Sequence, residues 1–260
     1  MKFACVGDNC IDYYQKENIY YCGGNPVNVG VYAVRCGESA SYIGAVGTDQ
    51  FGQFMIDSLK SRGLDVSHVK ILPGDTAVSY IEIVNGERIF NDYREGVLRD
   101  FQLTQEDVRF IAMHDMMVSG RWGNIHNQLS MVKASGIPIA FDFATKLYDP
   151  IYEEAVGSID YAFFSDSEDS PSIRQSLTSI CERGVKIAVC TLGRYGSLAF
   201  NGSTFTHFGI IPCEVKDTMG AGDSYITGFL RGILQNKPIE NCMRMGAECS
   251  YQTLQYFGAW

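Results

Sequence analysis

The second half of the chain alternates continuous apolar runs with stretches of helical length, and this alternation restricts the fold more than any other feature of the sequence. The apolar runs read DMMVS, IPIAFDF, YAFF and VKIAVCTL. Strands that are apolar throughout are typical of a parallel sheet covered by helices on both faces. Between them we expect helices that begin at Thr104, near residue 124, near Pro150 and near Ser172, the second reaching residue 135. The pattern predicts an α/β fold with a mostly parallel central sheet.

Two aromatic-rich segments of extended sequence lie outside this alternation. Residues 11–14 and 19–21 flank the polar QKEN, and residues 76–84 and 88–93 flank Asn85-Gly86, a dipeptide that favours a type I′ hairpin turn. Two such hairpins can form a small antiparallel sheet inserted into the larger domain as a lid. Because no linker-like stretch interrupts the chain, we expect a single domain over residues 1–260, with lid strands at about 11–22 and 75–95.

The stretch DTMGAGDS, residues 217–224, precedes an apolar run that is compatible with a helix. Gly220 and Gly222 allow the backbone to turn sharply, so that successive N–H groups can point into one concavity at the helix start, where the macrodipole favours an anion. Asp223 lies among these donors, which makes sense if it is a base beside a phosphate that is being transferred. The alternative is a glycine-containing loop in which Asp223 is an ordinary helix cap.

Further polar clusters are predicted at one edge of the sheet, because ligands of open α/β sheets bind beyond the carboxyl ends of the strands. The clusters are Asp8 with Asp12, the turn Gly23-Gly24-Asn25, Arg121-Trp122, Asp142, and Thr191 with Gly193 and Gly196. Taken singly, each could be a turn, a cap or a surface loop. Their convergence at one edge favours a ligand site.

Charge, cysteine content and missing motifs argue against several classes of function. Lys plus Arg number 21 and Asp plus Glu 30, a net charge of −9 without a basic run, so neither nucleic acid nor a membrane is an expected partner. Nine cysteines without a CxxC pair are typical of free thiols in the cytoplasm. The sequence lacks GxxxxGK(S/T), HExxH and GxSxG, and its first strand is not followed by GxGxxG.

Three motifs occur in a characteristic order: GGNPVNVG near the N-terminus, then TLGRYGS, then DTMGAGDS followed by YITGFLRG. Together they resemble the signatures of the ribokinase-like carbohydrate kinases, the PfkB family, and the resemblance spans the whole chain. It implies that Asp223 is the catalytic base, which takes the proton of a substrate hydroxyl as this oxygen attacks the γ-phosphate of ATP. It also implies an anion hole formed by the amides of Gly220, Ala221 and Gly222.

The same resemblance implies a sugar site, a nucleotide site and a role for magnesium. The implied substrate-binding residues are Asp8, Asp12, Gly23, Gly24, Asn25, Asn28, Tyr93 and Arg121, and the implied ATP-binding residues are Thr191, Gly193, Gly196 and Thr218. Magnesium is expected to bridge the phosphates, and binding of a monovalent cation near Asp217 is left open. Where the family has an Asn-x-x-Glu motif, this sequence has SDSE at residues 165–168. The asparagine is missing, and Glu168 is the remaining candidate metal-site residue.

Within this family the sequence is most similar to the kinases of fructosyl amino acids such as fructoselysine, which are phosphorylated at the 6-hydroxyl. The features are GDNCIDYY, YREGV, RWGN, FDFATK and QYFGAW. Such a substrate carries a cationic amine and an amino-acid tail, for which Asp92, Glu95 and Arg121 are candidate contacts. The alternatives are a kinase of another small sugar or nucleoside, a catalytically silent sugar-binding sensor, and a nicotinamide-dependent oxidoreductase. A homodimer through the lid is expected, because a small open sheet leaves one face to be covered.

Overall fold

The computed structural model describes residues 1–84 and 87–260. The strands are β1 (Lys2–Val6), β2 (Cys10–Tyr14), β3 (Ile19–Gly23), β4 (Ser39–Gly47), β5 (Asp65–Leu72), β6 (Val78–Val84), β7 (Glu87–Arg94), β8 (Met116–Gly120), β9 (Ile139–Asp142), β10 (Tyr161–Ser165), β11 (Ile187–Thr191), β12 (Ser197–Phe200) and β13 (Phe205–Phe208). The helices are α1 (Asn25–Arg35), α2 (Gln50–Ser61), α3 (Gln105–Ile111), α4 (Leu129–Lys133), α5 (Pro150–Ala155), α6 (Pro171–Glu182), α7 (Ala221–Leu234) and α8 (Ile239–Thr253).

The strands of the described residues form two sheets. The larger sheet has nine strands in the order β13-β12-β11-β10-β9-β8-β1-β4-β5, and the smaller has four in the order β3-β2-β6-β7. In the larger sheet all neighbours from β11 to β5 run parallel, and only the pairings of β12 with its two neighbours are antiparallel. The predicted mostly parallel α/β sheet is confirmed.

Helices cover both faces of the large sheet. Successive side chains of a strand point to opposite sides, so a strand that is apolar throughout has apolar surface on both faces to be buried. In β1, Phe3 and Cys5 belong to a core that also contains the buried faces of α1, α2, α7 and α8. Ala4 and Val6 belong to the opposite core, which is completed by α3, α4, α5 and α6. None of the described helices has the length and apolar composition of a membrane span.

Helix starts follow local capping signals where these exist. Thr104 and Asp107 form the expected capping box at α3. The helix predicted over residues 124–135 is wrong in extent, since α4 covers only Leu129–Lys133 after a short 3-10 turn. Asn124 adopts a left-handed conformation (φ 56°) and donates its side-chain amide to Glu95, so the chain turns here instead of entering a helix.

The smaller sheet forms the lid. β2 with β3 and β6 with β7 are the two predicted antiparallel hairpins. The wholly antiparallel lid is wrong, because β2 and β6 pair in parallel, with Ile11 opposite Val78. β2 follows β1 and β6 follows β5, and since β1 and β5 point the same way in the large sheet, the strands that leave them share that direction. The predicted turn at Asn85 and Gly86 lies outside the described residues.

Candidate active site

Asp223 lies in the first turn of α7, and two asparagine side chains hold its carboxylate. Asn25 donates Nδ2 to Oδ1 at 2.7 Å, and Asn28 donates Nδ2 to Oδ2 at 2.7 Å. Both asparagines belong to the first turn of α1, which follows Gly24 at φ 109°. A side chain at Gly24 would place its Cβ 2.7 Å from the Cα of Asn9, so the turn requires glycine. The N-termini of α1 and α7 therefore meet at Asp223.

Further carboxylates are gathered around Asn25. Its Nδ2 also donates to Asp142 Oδ2 at 3.0 Å, and its backbone N–H donates to Asp8 Oδ2 at 3.1 Å. Burial, with added repulsion from Asp223, raises the pKa of Asp8 and that of Asp142 to about 7. Burial also raises the pKa of Asp223, although hydrogen bonds from Asn28 and Asn25 oppose the shift. Proton affinity raised in this way suits a general base.

The C-terminal segment orients Asn28. Trp260 donates its indole Nε1–H to Asn28 Oδ1 at 2.7 Å. Because the indole nitrogen can only donate, the amide oxygen of Asn28 must face Trp260 and the amide nitrogen must face Asp223. Gly258 donates its backbone N–H to Asp217 Oδ2 at 2.7 Å, which fastens the same segment to the DTMGAGDS loop. Trp260 was not predicted as a site residue, whereas Asp142 was named among the polar clusters at the carboxyl ends of the strands but was given no binding role.

The predicted anion hole lies at the start of α7. Gly220 has φ 73°, and a side chain there would collide with the Tyr32 hydroxyl. The amide of Ala221 donates to the carbonyl of Thr218 at 3.2 Å, so a turn already uses it. The amide of Gly222 has no intrahelical acceptor by helix geometry, and a Cβ on Gly222 would meet no atom within 4 Å. The amide of Gly222 is thus left without a helical acceptor at the start of α7, which suits an anion.

A cavity of about 480 Å³ opens beside this helix start. Its lining includes all four predicted ATP-binding residues and two of the anion-hole residues, namely Thr191, Gly193, Gly196, Thr218, Ala221 and Gly222. Residues of α8 and Leu254 close the opposite side. The volume is in the range of small-molecule sites. Asp223 directly follows the lining residue Gly222, and its partner Asn25 also donates to Asp8 and Asp142.

The loop after β10 contains the candidate metal residue. Asp166 lines the 480 Å³ cavity, whereas Glu168 is exposed and lies outside its lining. The described residues contain no group of three or more side chains that could hold a metal ion. The single carboxylates of this loop fit a magnesium ion that is held chiefly by nucleotide phosphates and by at most one carboxylate. Near Asp217, Oδ1 accepts from the amide of Met219 at 2.9 Å and Oδ2 from that of Gly258.

On the lid side, Asp12 is buried on β2 and its carboxylate faces Gly23 at the end of β3. Tyr93 lies on β7 with 38% of its surface exposed. Burial and, next, the charge of Asp8 raise the pKa of Tyr93. Of the predicted residues of the sugar site, Asp8, Asn25 and Asn28 are joined to one another or to Asp223 by hydrogen bonds, and Tyr93 is influenced by the charge of Asp8.

A second cavity, of about 740 Å³, begins at Tyr93. It is lined by Asp49, Gln50, Phe51, Asp75, Thr76, Val78, Tyr80, Tyr93, Arg94, Glu95, Gly96, Arg99 and Trp122. Of the three predicted tail contacts only Glu95 lines it. Asp92 lies outside this lining and pairs with Arg94 at 3.3 Å, while Arg121 is buried with its Nη1 2.6 Å from Asp149 Oδ2. A substrate carboxylate at Arg121 would have to share that ion pair.

Comparisons with known proteins match these observations. The sequence profile of the pfkB family carbohydrate kinases matches residues 2–260. The chain is 38% identical over 257 residues to the fructoselysine 6-kinase of Escherichia coli, covering 99% of this chain and 98% of that protein. It is 32% identical over 265 residues to a fructosamine kinase of Bacillus subtilis, covering 100% and 93%. The structure of Arabidopsis thaliana ribokinase complexed with ribose and ATP superposes with a TM-score of 0.88 at 21% identity, covering 99% and 93%.

Proposed function

Because the chain belongs to the pfkB family of carbohydrate kinases, we propose that it transfers the γ-phosphate of ATP to the 6-hydroxyl of fructoselysine or a related fructosyl amino acid. Identity of 38% over almost the whole length of a fructoselysine 6-kinase supports the substrate class. The observation that carries the chemistry is Asp223, which directly follows Gly222 of the cavity lining and shares Asn25 as a hydrogen-bond donor with Asp8 and Asp142. The compartment we propose is the cytoplasm.

In the proposed reaction Asp223 acts as the general base. Its carboxylate accepts the proton of the 6-hydroxyl while the sugar oxygen attacks the γ-phosphorus, and ADP leaves with the bridging oxygen. Asn25 and Asn28 hold the carboxylate in one orientation, and burial makes it more basic than a solvated aspartate. The amide of Gly222 and the N-terminus of α7 stabilise charge on the phosphate. Magnesium, when bound, neutralises phosphate charge.

The buried carboxylates favour a cationic sugar derivative over a neutral sugar. Asp8, Asp12, Asp142 and Asp223 are gathered at the sugar side, and Asp8 is affected by the charges of both Asp12 and Asp223. A fructosyl amine is protonated at neutral pH, and a cation beside these groups relieves their repulsion and lowers their pKa values. A neutral ketose offers hydroxyl groups but not this charge. These four aspartates together therefore support a fructosyl amine as the substrate.

The 740 Å³ cavity is the proposed site of the amino-acid tail. The lid residues Val78, Tyr80, Tyr93 and Arg94 line it, and the charge of Asp8, at the sugar side, raises the pKa of Tyr93 after burial. Asp75 and Arg99 both line this cavity and carry opposite charges. Neither side chain is in an ion pair within the described part of the chain. An α-amino acid end carries an ammonium and a carboxylate, which these two side chains complement. Glu95 adds a second carboxylate.

The substrate is tested by a kinase assay over a panel. ADP release with magnesium is measured for fructoselysine, for a fructosyl amine without an amino-acid tail, for fructose, and for ribose and adenosine. We expect the highest kcat/KM for fructoselysine, a lower value for the tailless amine and the lowest for the others. Turnover confined to ribose or adenosine would overturn the proposal. Repeating the assay with EDTA, and with potassium replaced by tetramethylammonium, tests the proposed magnesium and monovalent cations.

A homodimer through the lid is part of the proposal. The lid strands carry exposed apolar side chains, among them Ile19 at 46% and Ile89 at 44% exposure. Exposed apolar residues on a small sheet are commonly covered by a second subunit. Light scattering is expected to give twice the mass of one chain, and Ile19→Asp to shift the protein toward the monomer. A wild-type mass of one chain at assay concentration contradicts this arrangement.

A further inference from the structure

Two cysteine thiols that are not among the proposed catalytic residues lie next to each other in the fold. Cys36 follows the last residue of α1, and Cys249 belongs to α8. Their Sγ atoms are 3.8 Å apart, although 213 positions separate them in sequence, and both residues are partly exposed. A disulfide has an S–S length of about 2.0 Å. The two sulfurs must therefore approach by about 2 Å, a distance within reach of side-chain rotation and small helix movements.

The surroundings of the pair make Cys36 the more reactive thiol. The hydrogen bond with Cys249 and the nearby charge of Arg231 lower the pKa of Cys36 to about 7, against burial and the charge of Glu38. Arg231 is held in place, because it donates Nη2 to the Cys36 carbonyl at 3.2 Å and Nε to Glu38 Oε1 at 3.1 Å. The pKa of Cys249 is raised by its hydrogen bond with Cys36, and Glu248 adds to this shift. Cys36 is the expected thiolate of the pair.

From this geometry we propose that Cys36 and Cys249 form a modification site at which hydrogen peroxide converts the two thiols into a reversible disulfide. The Cys36 thiolate attacks one peroxide oxygen, the O–O bond breaks, and the released hydroxide takes up a proton as water. The Cys249 thiol then attacks the Cys36 sulfenic acid, loses its proton and expels a second water. Two thiols and one peroxide thus give one disulfide and two waters, and a dithiol reductant reverses the reaction.

The pair is coupled to the nucleotide cavity through α8. Cys249 precedes Ser250, whose hydroxyl donates to the carbonyl of Ala221 at 2.8 Å. Ser250 and Ala221 both line the 480 Å³ cavity. A disulfide ties α8 to the end of α1 and draws Cys249 toward it, so Ser250 shifts relative to α7. Oxidation is therefore expected to weaken nucleotide binding by about threefold, which corresponds to roughly 0.65 kcal/mol.

The test treats the reduced protein with increasing hydrogen peroxide, blocks remaining thiols and maps the peptides by mass spectrometry. We expect a Cys36–Cys249 disulfide to appear before any other cysteine is oxidised, and to vanish after dithiothreitol. Cys36→Ser abolishes it, whereas Cys249→Ser leaves a sulfenic acid on Cys36 that dimedone traps. Cys181→Ser, which removes another partly exposed thiol, behaves as the wild type.

Two results would overturn the proposal. The first is oxidation of Cys181 or another cysteine at the same peroxide concentration as Cys36, since the site would then have no special reactivity. The second concerns the nucleotide, for which calorimetric titration of ATP into the reduced and oxidised wild type measures affinity without relying on turnover. An unchanged dissociation constant in fully cross-linked protein would remove the proposed coupling. Both measurements use wild-type protein, so neither depends on how the variants fold.

Discussion

Among the single residues, Asp223 depends on amide donors that bind both of its carboxylate oxygens. Asn25 and Asn28 supply them, and Asn28 is itself oriented by Trp260. Burial raises the pKa of Asp223, while the two short hydrogen bonds that hold its carboxylate oppose part of this shift. The carboxylate is thus held in place and remains more basic than a solvated aspartate. Asp223 is therefore the residue whose replacement separates chemistry from binding.

Asp223→Asn tests this separation. An amide cannot accept the hydroxyl proton, so we expect kcat to fall by about a thousandfold. The nucleotide cavity is lined by the neighbours Ala221 and Gly222 rather than by the carboxylate, so calorimetry should give an ATP affinity within about threefold of the wild type. Asp57→Asn, on the exposed side of α2, serves as the control and should retain full activity. A kcat within tenfold of the wild type would show that Asp223 is not the base.

Asp142→Asn is expected to change stability with a definite dependence on pH. The folded-state pKa of Asp142, about 7, lies above the ordinary value of 3.8. Its stabilising contribution is therefore complete below about pH 4 and is lost as the pH rises through about 7. An uncharged side chain of the same size avoids that loss, because it does not ionise as the pH rises. Thermal unfolding should show a Tm raised by about 2 °C or more at pH 8 and little changed at pH 4, where Asp142 is protonated in the folded protein.

Asp160→Asn is the matched control for the sign of this effect. Hydrogen bonds from Lys133 and Ile139 lower the pKa of Asp160 despite its burial, and Lys133 Nζ lies 2.6 Å from Oδ2. Its contribution is present above the ordinary pKa and is lost as the pH falls through the lowered value. The substitution should therefore destabilise the protein at pH 8, opposite to the change at Asp142. Destabilisation by both variants at pH 8 would contradict the electrostatic explanation.

Among the secondary-structure elements, those with local signals could be predicted closely and those with distant causes could not. Asp49 caps α2 and Thr104 caps α3 through contacts within three residues, so both starts could be predicted. The parallel pairing of β2 with β6 depends on the directions of β1 and β5, which no property of the lid sequence encodes. The extent of α4 depended on Asn124, whose turn is set by contacts to Glu95 and Leu98.

The 740 Å³ cavity is lined in part by strands β6 and β7 of the lid. Arg99→Gln and Asp75→Asn each remove one charge that we assign to the amino-acid tail. Each should raise the KM for fructoselysine by about three- to tenfold, because a charge-assisted contact of about 1 kcal/mol is lost. The KM for a fructosyl amine without a tail should not change in either variant. Arg109→Gln, in the exposed part of α3, is the control and should change neither KM. Equal changes in KM for both substrates would show that the amino-acid tail does not bind in this cavity.

At the scale of the whole molecule, the prediction that polar clusters converge at one sheet edge agrees with the geometry. Asp8, Asn25, Asp142 and Asp223 are joined by hydrogen bonds although Asn25 and Asp223 are 198 positions apart. Strand direction made this predictable, because the carboxyl ends of parallel strands share an edge. The contact of Trp260 with Asn28, and that of Cys36 with Cys249, depend on how the helices pack, so neither could be predicted.

The most direct test of the proposed function is nuclear magnetic resonance of the product formed from fructoselysine, ATP and magnesium. We expect a phosphate monoester on carbon 6, seen as phosphorus coupled to the two protons of that methylene group. The signal should grow as ADP accumulates and should be absent with Asp223→Asn. Absence of a sugar phosphate with the wild type, or phosphorus coupled to a single ring proton, would show that the chain does not phosphorylate the 6-hydroxyl.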